Sequence, residues 1–397
     1  MARLATGRTT GNDPLADLVA QFDAAADVWR PAPGRLCVAD PATARQVMAN
    51  RSGAFVETSD FFHTRDGVFG PRSAQVEIGR VARDLLRRHL DAHRSRLPGL
   101  VRDRLTPVSR WPDAGNLLIR EHLRDVLLHP GAPAGLHDLV DGVIGRAVLA
   151  GARSRHSVLA RMRFRRRVRR MLGAEVTRRR AVPAGEPRDL LDVVVAGAAA
   201  GTPVDDLAEV YLSFLFATVG SIGFALGWSI YLAGSHPDSD GAEPEWIARE
   251  ALRLWPVAWL FARTPSRPLE LAGVPVGPAD EVDVCAYLVH RHPGHWDRPD
   301  EFLPGRWAGA VPGGAFLPFG VGAHACTGAT VTMTLLADLI RIITQDWQVS
   351  VRGSGRESGR ESGRESGRRS GHGQRPTVGP ALAPPCFTAE LHARRAE

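Results

Sequence analysis

The chain has no lysine: all 50 of its basic residues are arginine, set against 43 acidic residues for a formal charge of +7. With 41 glycines, 29 prolines and abundant alanine beside them, this reads as the imprint of a GC-rich genome rather than a surface built for polyanions. No nucleic-acid-binding module signature accompanies the charge, and no nucleic-acid partner is expected. Cysteine is also scarce. Cys37, Cys285, Cys326 and Cys386 are too scattered to form a disulfide framework or a zinc site, which points to a reducing, cytoplasmic setting. The first 16 residues lack an apolar run behind their arginines, so neither a signal peptide nor a membrane anchor is expected there, only a flexible tail over 1–16.

What is present is enough apolar residue, 44% of 397, to bury a large core, and the chain is read as a single domain over 1–397. Charge is missing from one long stretch, Val210 to Pro237, which is long enough to span a bilayer. Its flanks are acidic (Asp205, Asp206, Glu209, Asp238, Asp240) and it is dotted with serine and glycine, a poor match to membrane topology rules. A helix buried all round inside a globular domain is expected instead, with no membrane partner. Near the C-terminus, 355–370 repeats Gly-Arg-Glu-Ser with Arg369 replacing the last Glu. A segment with no apolar residue cannot offset its ordering entropy, so it is read as a disordered insertion.

Elsewhere the apolar period is mostly helical. A strand at Leu36–Val38 leads to a helix over Ala42–Ala49, and a loop from Phe55 to Arg72 carries Phe55, Phe61, Phe62 and Phe69, either packed on the body or lining a pocket. Helices are expected over 76–105, 117–149 with a turn at 130–133, 189–200, 204–233 and 244–254. The arginine-dense run 153–180 is a solvated helix face or an anion-binding one. Short alternating runs between Leu269 and Val289 suggest a small antiparallel sheet, and Cys386–His392 a terminal strand. The fold class is therefore mostly α with a minor β sheet drawn from both halves of the sequence.

The most specific stretch is Phe319 to Gly328, Phe-Gly-Val-Gly-Ala-His-Ala-Cys-Thr-Gly, followed at once by a helix-forming run. A cysteine on a glycine-rich bend opening a helix lies beside unpaired N–H groups, which favour the thiolate and hence metal ligation. Alone, such a cysteine is more often an inert small hydrophobe. Phe319, Gly322, Cys326 and Gly328 together reproduce Phe-x-x-Gly-x-x-x-Cys-x-Gly, and the segment resembles the haem-thiolate loop of the cytochrome P450 monooxygenases.

That resemblance extends over nearly the whole chain. It implies a P450-like fold with the long buried helix over haem b, Cys326 as the iron ligand, and Phe319, Gly322 and Gly328 shaping the loop. It makes Glu250, Arg253 and Arg306 a structural charge network locking that loop, and Arg263, His324 and Arg83 candidate partners of the haem propionates. Where the family often shows His-x-x-x-Arg, this chain has Gly79 and Arg83, one donor short. In the long helix, Ala217-Thr-Val-Gly-Ser221 aligns with the family's Ala-Gly-x-Asp/Glu-Thr, whose acid and alcohol relay protons to molecular oxygen. The acid position is Gly220 and the alcohol Ser221, so Thr218, Gly220 and Ser221 are the candidate catalytic positions with an atypical relay. Gly220, Gly223 and Gly227 lie near one helix face, leaving either unusual room above a haem or close helix packing.

The resemblance further implies a monomeric, soluble bacterial oxidoreductase. Its expected co-substrate is molecular oxygen, its electron source ferredoxin and ferredoxin reductase, and its substrate a small metabolite of secondary biosynthesis. Two alternatives stand beside hydroxylation: haem-dependent dehydration, rearrangement or oxidative coupling, and a non-catalytic helper role. Helpers tend to lose the cysteine that this chain keeps.

Overall fold

The computed structural model describes residues 13–23, 26–56, 60–65, 67–149, 157–182, 185–309, 314–353 and 375–394. The repeat 355–370 and most of the expected N-terminal tail lie outside them. The last residues assigned to that tail are helical: a helix runs Pro14–Gln21, capped by Asp13, whose side chain accepts the Ala16 N–H. Leu15 and Leu18 on it join the main core.

The architecture is helical around one long axis. Val204–Ser235 is 32 residues long and apolar enough to cross a membrane, yet 72% of its most apolar window is buried inside the protein. Around it sit Asp113–His122, Pro244–Leu254 and Ala329–Asp346. Aromatic stacking fixes its C-terminal half: Trp228 lies parallel to Trp255 at 4.4 Å between ring centroids and donates its indole N–H to Leu382 O. The helix Arg72–His93 is amphipathic, burying Ile78, Ala82, Leu85, Leu86 and Leu90 at helical spacing and leaving its arginines outside.

The sheets are small. The first has the order Val28–Ala32, Arg35–Val38, Glu281–Cys285, Leu260–Arg263. Arg35–Val38 pairs in parallel with Glu281–Cys285, Leu36 opposite Val282, so this sheet is mixed and not the antiparallel one expected. The antiparallel expectation holds for the hairpin Leu269–Leu271 and Val274–Val276. A second sheet joins Trp347–Gly353, Phe387–Ala393 and Val108–Trp111. The loop aromatics turn inward: Phe55, Phe62 and Phe69 are buried, and Phe61 meets the Phe214 ring edge-on at 4.7 Å.

The arginine-dense helix Val158–Arg180 is mostly a solvated face, with one exception. Arg179 points inward and binds Glu175 at 2.7 Å, Asp189 at 2.5 Å and Asp192 at 2.7 Å, pinning the next helix, Leu190–Gly197. Those carboxylates hold the guanidinium more firmly protonated despite its burial.

Candidate active site

Cys326 lies between a one-turn helix, Gly322–His324, and the 18-residue helix that opens at Ala329. Its N–H donates to Phe319 O at 2.8 Å, closing the loop on itself. The residue is open to solvent at its surface while the protein walls around it crowd the sulfur. Burial pushes the Cys326 thiol up, and the Gly328 N–H pulls it back. Of these two opposing influences burial is the larger. A coordinated metal removes the proton outright.

The loop glycines meet different local needs. Gly322 sits in the bend itself. It adopts φ +76°, and a Cβ there would lie 2.6 Å from Ala49 Cα, so it is needed for the bend and for the approach of the helix Pro41–Ala49. Gly328 is unstrained, and a Cβ on it would sit 3.8 Å from Cys326 Sγ. Gly79 faces the same loop: its Cβ would meet Thr327 Cγ2 at 3.2 Å, so a histidine there would displace Thr327.

Behind the loop lies a dry charge network. Arg253 forms a two-pronged pair with Glu250 at 2.8 and 2.9 Å, and its remaining N–H groups reach the carbonyls of His290, Pro299 and Glu301. Five donors meet five acceptors, as a fully buried guanidinium requires. Glu250 also accepts from Arg306 Nε at 2.9 Å, Leu303 N at 3.0 Å and Trp307 Nε1 at 3.0 Å. The structure therefore brings Glu250, Arg253 and Arg306 together.

The element that sequence reasoning missed is His290. Its Nε2 accepts the Leu317 N–H at 2.7 Å, two residues before Phe319, and its Nδ1 donates to Arg253 O at 3.2 Å. These partners fix one neutral tautomer. Burial first, then the charges of Arg253 and Arg291, push its pKa down to about 3. Arg72 adds a tie from the other side, donating to Ala323 O.

The remaining candidates are dispersed over neighbouring elements. Arg263 ends the strand Leu260–Arg263 with Nη1 on Ala262 O at 2.8 Å, and His324 closes the short helix before the cysteine. Arg83 lies one turn beyond Gly79 and pairs with Asp84 at 3.1 Å.

The central helix changes pitch where the atypical residues fall, with Phe216–Ser221 forming a π-helical turn. Thr218 Oγ1 donates to Phe214 O at 2.6 Å, whereas the Ser221 hydroxyl has no partner among the described residues. The glycine face is closed by packing. A Cβ on Gly220 would meet the Phe216 ring at 3.2 Å, on Gly223 Asn116 Nδ2 at 2.2 Å, and on Gly227 Pro384 at 2.9 Å. Close packing against other segments accounts for Gly223 and Gly227, whereas the neighbour of Gly220 is a ring one turn earlier on its own helix.

The donor set fits one kind of metal group. Among the described residues no cluster of three or more His, Cys, Asp or Glu could hold a bare ion. A lone thiol beside a helix start suits an iron that arrives with its own equatorial nitrogens, as haem does.

The comparisons agree. The family model described as "Cytochrome P450" matches residues 245–362, which hold Glu250, His290, Arg306 and Cys326. Cyclooctatin synthase of Streptomyces melanosporofaciens is 28% identical over 52% of this chain and 51% of its own, and pentalenene oxygenase of Streptomyces avermitilis 27% over 37% and 38%. The chain spans about half or less of the length of these curated relatives. A crystal structure of CYP175A1 from Thermus thermophilus superposes with a TM-score of 0.70 over 96% of this chain and 95% of that one at 19% identity, and a P450 EryK mutant bound to erythromycin B with 0.64 over 96% and 97% at 20%. With the loop, the charge network and the fold in agreement, residues 245–362 resemble the cytochrome P450 family and the chain as a whole has the fold of its solved members.

Proposed function

We propose that the protein is a haem b oxidoreductase that uses molecular oxygen to oxidise a small apolar metabolite in bacterial secondary biosynthesis. The observation that carries this reading is the Cys326 loop, tied through Leu317 and His290 to the Glu250–Arg253 pair. When bound, haem supplies reductive activation of oxygen and transfer of one oxygen atom.

The chain's own residues do the rest. Cys326 would hold the iron, and the network behind it fixes the start of the cysteine loop through Leu317. Arg263, His324 and Arg83 are the proposed holders of the propionates, through charge-assisted hydrogen bonds. In the distorted turn Ser221 is the hydroxyl free to pass a proton, because Thr218 has already given its own to Phe214. No carboxylate stands at Gly220, so protons reach Ser221 from substrate or water. Two relatives are named pentalenene oxygenase and cyclooctat-9-en-7-ol 5-monooxygenase, and a carbon-rich substrate with at most one or two hydroxyl groups is accordingly proposed here. Ferredoxin and its reductase are the proposed electron source, and the cytoplasm the proposed location. The test is turnover under labelled oxygen with a ferredoxin system and apolar candidates: one labelled atom in the product supports oxygenation, and a product without label points to dehydration, rearrangement or coupling.

A further inference from the structure

The π-helical turn at 216–221 displaces backbone carbonyls from their ordinary helical partners, and a side chain from another helix meets them. Asn116, on the helix Asp113–His122, is fully buried and donates Nδ2 to Val219 O at 2.9 Å and to Gly220 O at 3.4 Å. The two carbonyls decide which end of the amide faces the turn. Val219 O also takes the Ile222 N–H, so the turn is held from inside and outside at once. The contact leaves no slack: a Cβ on Gly223 would lie 2.2 Å from Nδ2 and 2.9 Å from Asn116 Cα. Asn116 Oδ1 is buried without a partner among the described residues. The unpartnered Oδ1 is a cost of burial, and the bonds that the amide donates to the turn offset it.

We propose that Asn116 is a positioning residue that wedges the 216–221 turn open and so sets the direction of the Ser221 hydroxyl. It takes over, from a neighbouring helix, part of the shaping that the missing acid at Gly220 cannot give. This rests on the oxidoreductase reading above. Asn116 is fully enclosed by protein and acts through the backbone of Val219 and Gly220.

The experiment compares Asn116→Leu and Asn116→Asp, which keep the shape and lack the donor, with Gly223→Ala, which pushes the amide off the turn, and with the double variant Asn116→Ala/Gly223→Ala, which restores room without restoring the donor. Hydrogen exchange is measured on a peptide covering 216–224 in the cofactor-free protein. Product formed per electron consumed and ligand affinity are measured in the loaded one. Without the donor, exchange in that peptide should speed up and product per electron should fall about threefold to tenfold, the size of one lost hydrogen bond, while ligand affinity stays within twofold. The double variant should regain thermal stability relative to Gly223→Ala and not regain product per electron. Recovery of both in the double variant, or wild-type exchange and product per electron in Asn116→Leu, overturns the proposal. So does failure of every variant to fold, which would make Asn116 a folding residue alone. A wild-type protein that never shows a thiolate-haem spectrum would overturn the oxidoreductase reading instead, and the exchange measurement on the cofactor-free chain would still decide whether Asn116 holds the turn.

Discussion

The Leu317 N–H points at His290 Nε2 across 2.7 Å, and through that bond the cysteine loop hangs on the buried Glu250–Arg253 pair. A neutral imidazole is required, because a protonated ring would face the N–H with another N–H.

This makes acid stability a test of His290. Unfolded, the ring titrates near 6.5; folded, near 3. Between those values the unfolded chain holds the extra proton. Stability is therefore full above about pH 6.5 and is lost as pH falls toward 3, at about 1.4 kcal/mol per pH unit for this one group. Urea midpoints from pH 7 to pH 4 should fall more steeply in the wild type than in His290→Gln, which retains an acceptor and does not titrate. Parallel slopes would remove His290 from the acid response.

Arg253 and Arg306 should differ in consequence. Arg253→Ala strands Glu250 without its closest cation in a dry site, and a cost of about 3–5 kcal/mol is expected in denaturant unfolding. Arg306 has its side chain 14% exposed, and removing it leaves the two-pronged pair intact, so a smaller loss is expected. Equal losses would mean that the three charges act as one unit.

The two loop glycines separate fold from chemistry. Gly322→Ala places a methyl into the Ala49 backbone at a positive φ and should lower stability and cofactor content together. Gly328→Ala meets only ordinary contact with Cys326 Sγ, so it should fold and load, and shift the cofactor spectrum. Identical behaviour of the two in a cofactor-loading assay would contradict this division.

In the central helix, Thr218→Ala removes a bond from hydroxyl to helix backbone and should change stability by no more than about 1 kcal/mol. Ser221→Ala should leave stability unchanged and lower product formed per electron modestly, because substrate and water share the proton supply. Gly220→Glu with Ser221→Thr should lower turnover, since the Phe216 ring already occupies the space beside Gly220. Improved coupling in that double variant would restore the ordinary acid–alcohol mechanism.

The sequence disclosed what local spacing can carry. Cys326 with its flanking phenylalanine and glycines, the i, i+3 pair Glu250 and Arg253, and the long uncharged helix were all legible, because each is written within one segment. His290 was not: a histidine between Val289 and Arg291 gains its meaning from Leu317, 27 residues away. Asn116 and the π-helical turn were hidden for the same reason, since the amide meets a carbonyl 103 residues on. The reason for Gly223 and Gly227 was also out of reach, because Asn116 and Pro384 meet them from distant parts of the chain. Parallel pairing of Arg35–Val38 with Glu281–Cys285 is likewise a contact that no local pattern announces.

The most direct test of the account is the absorption spectrum of the reduced protein with carbon monoxide. A thiolate donates electron density to the iron, so the wild type should show the strongly red-shifted band of a thiolate-ligated haem, and Cys326→Ser should abolish it. Replacement of Cys37, Cys285 or Cys386 should leave the band in place. A wild-type spectrum without that band, or the same band in Cys326→Ser, would contradict the assignment of Cys326 as the iron ligand and the function built on it.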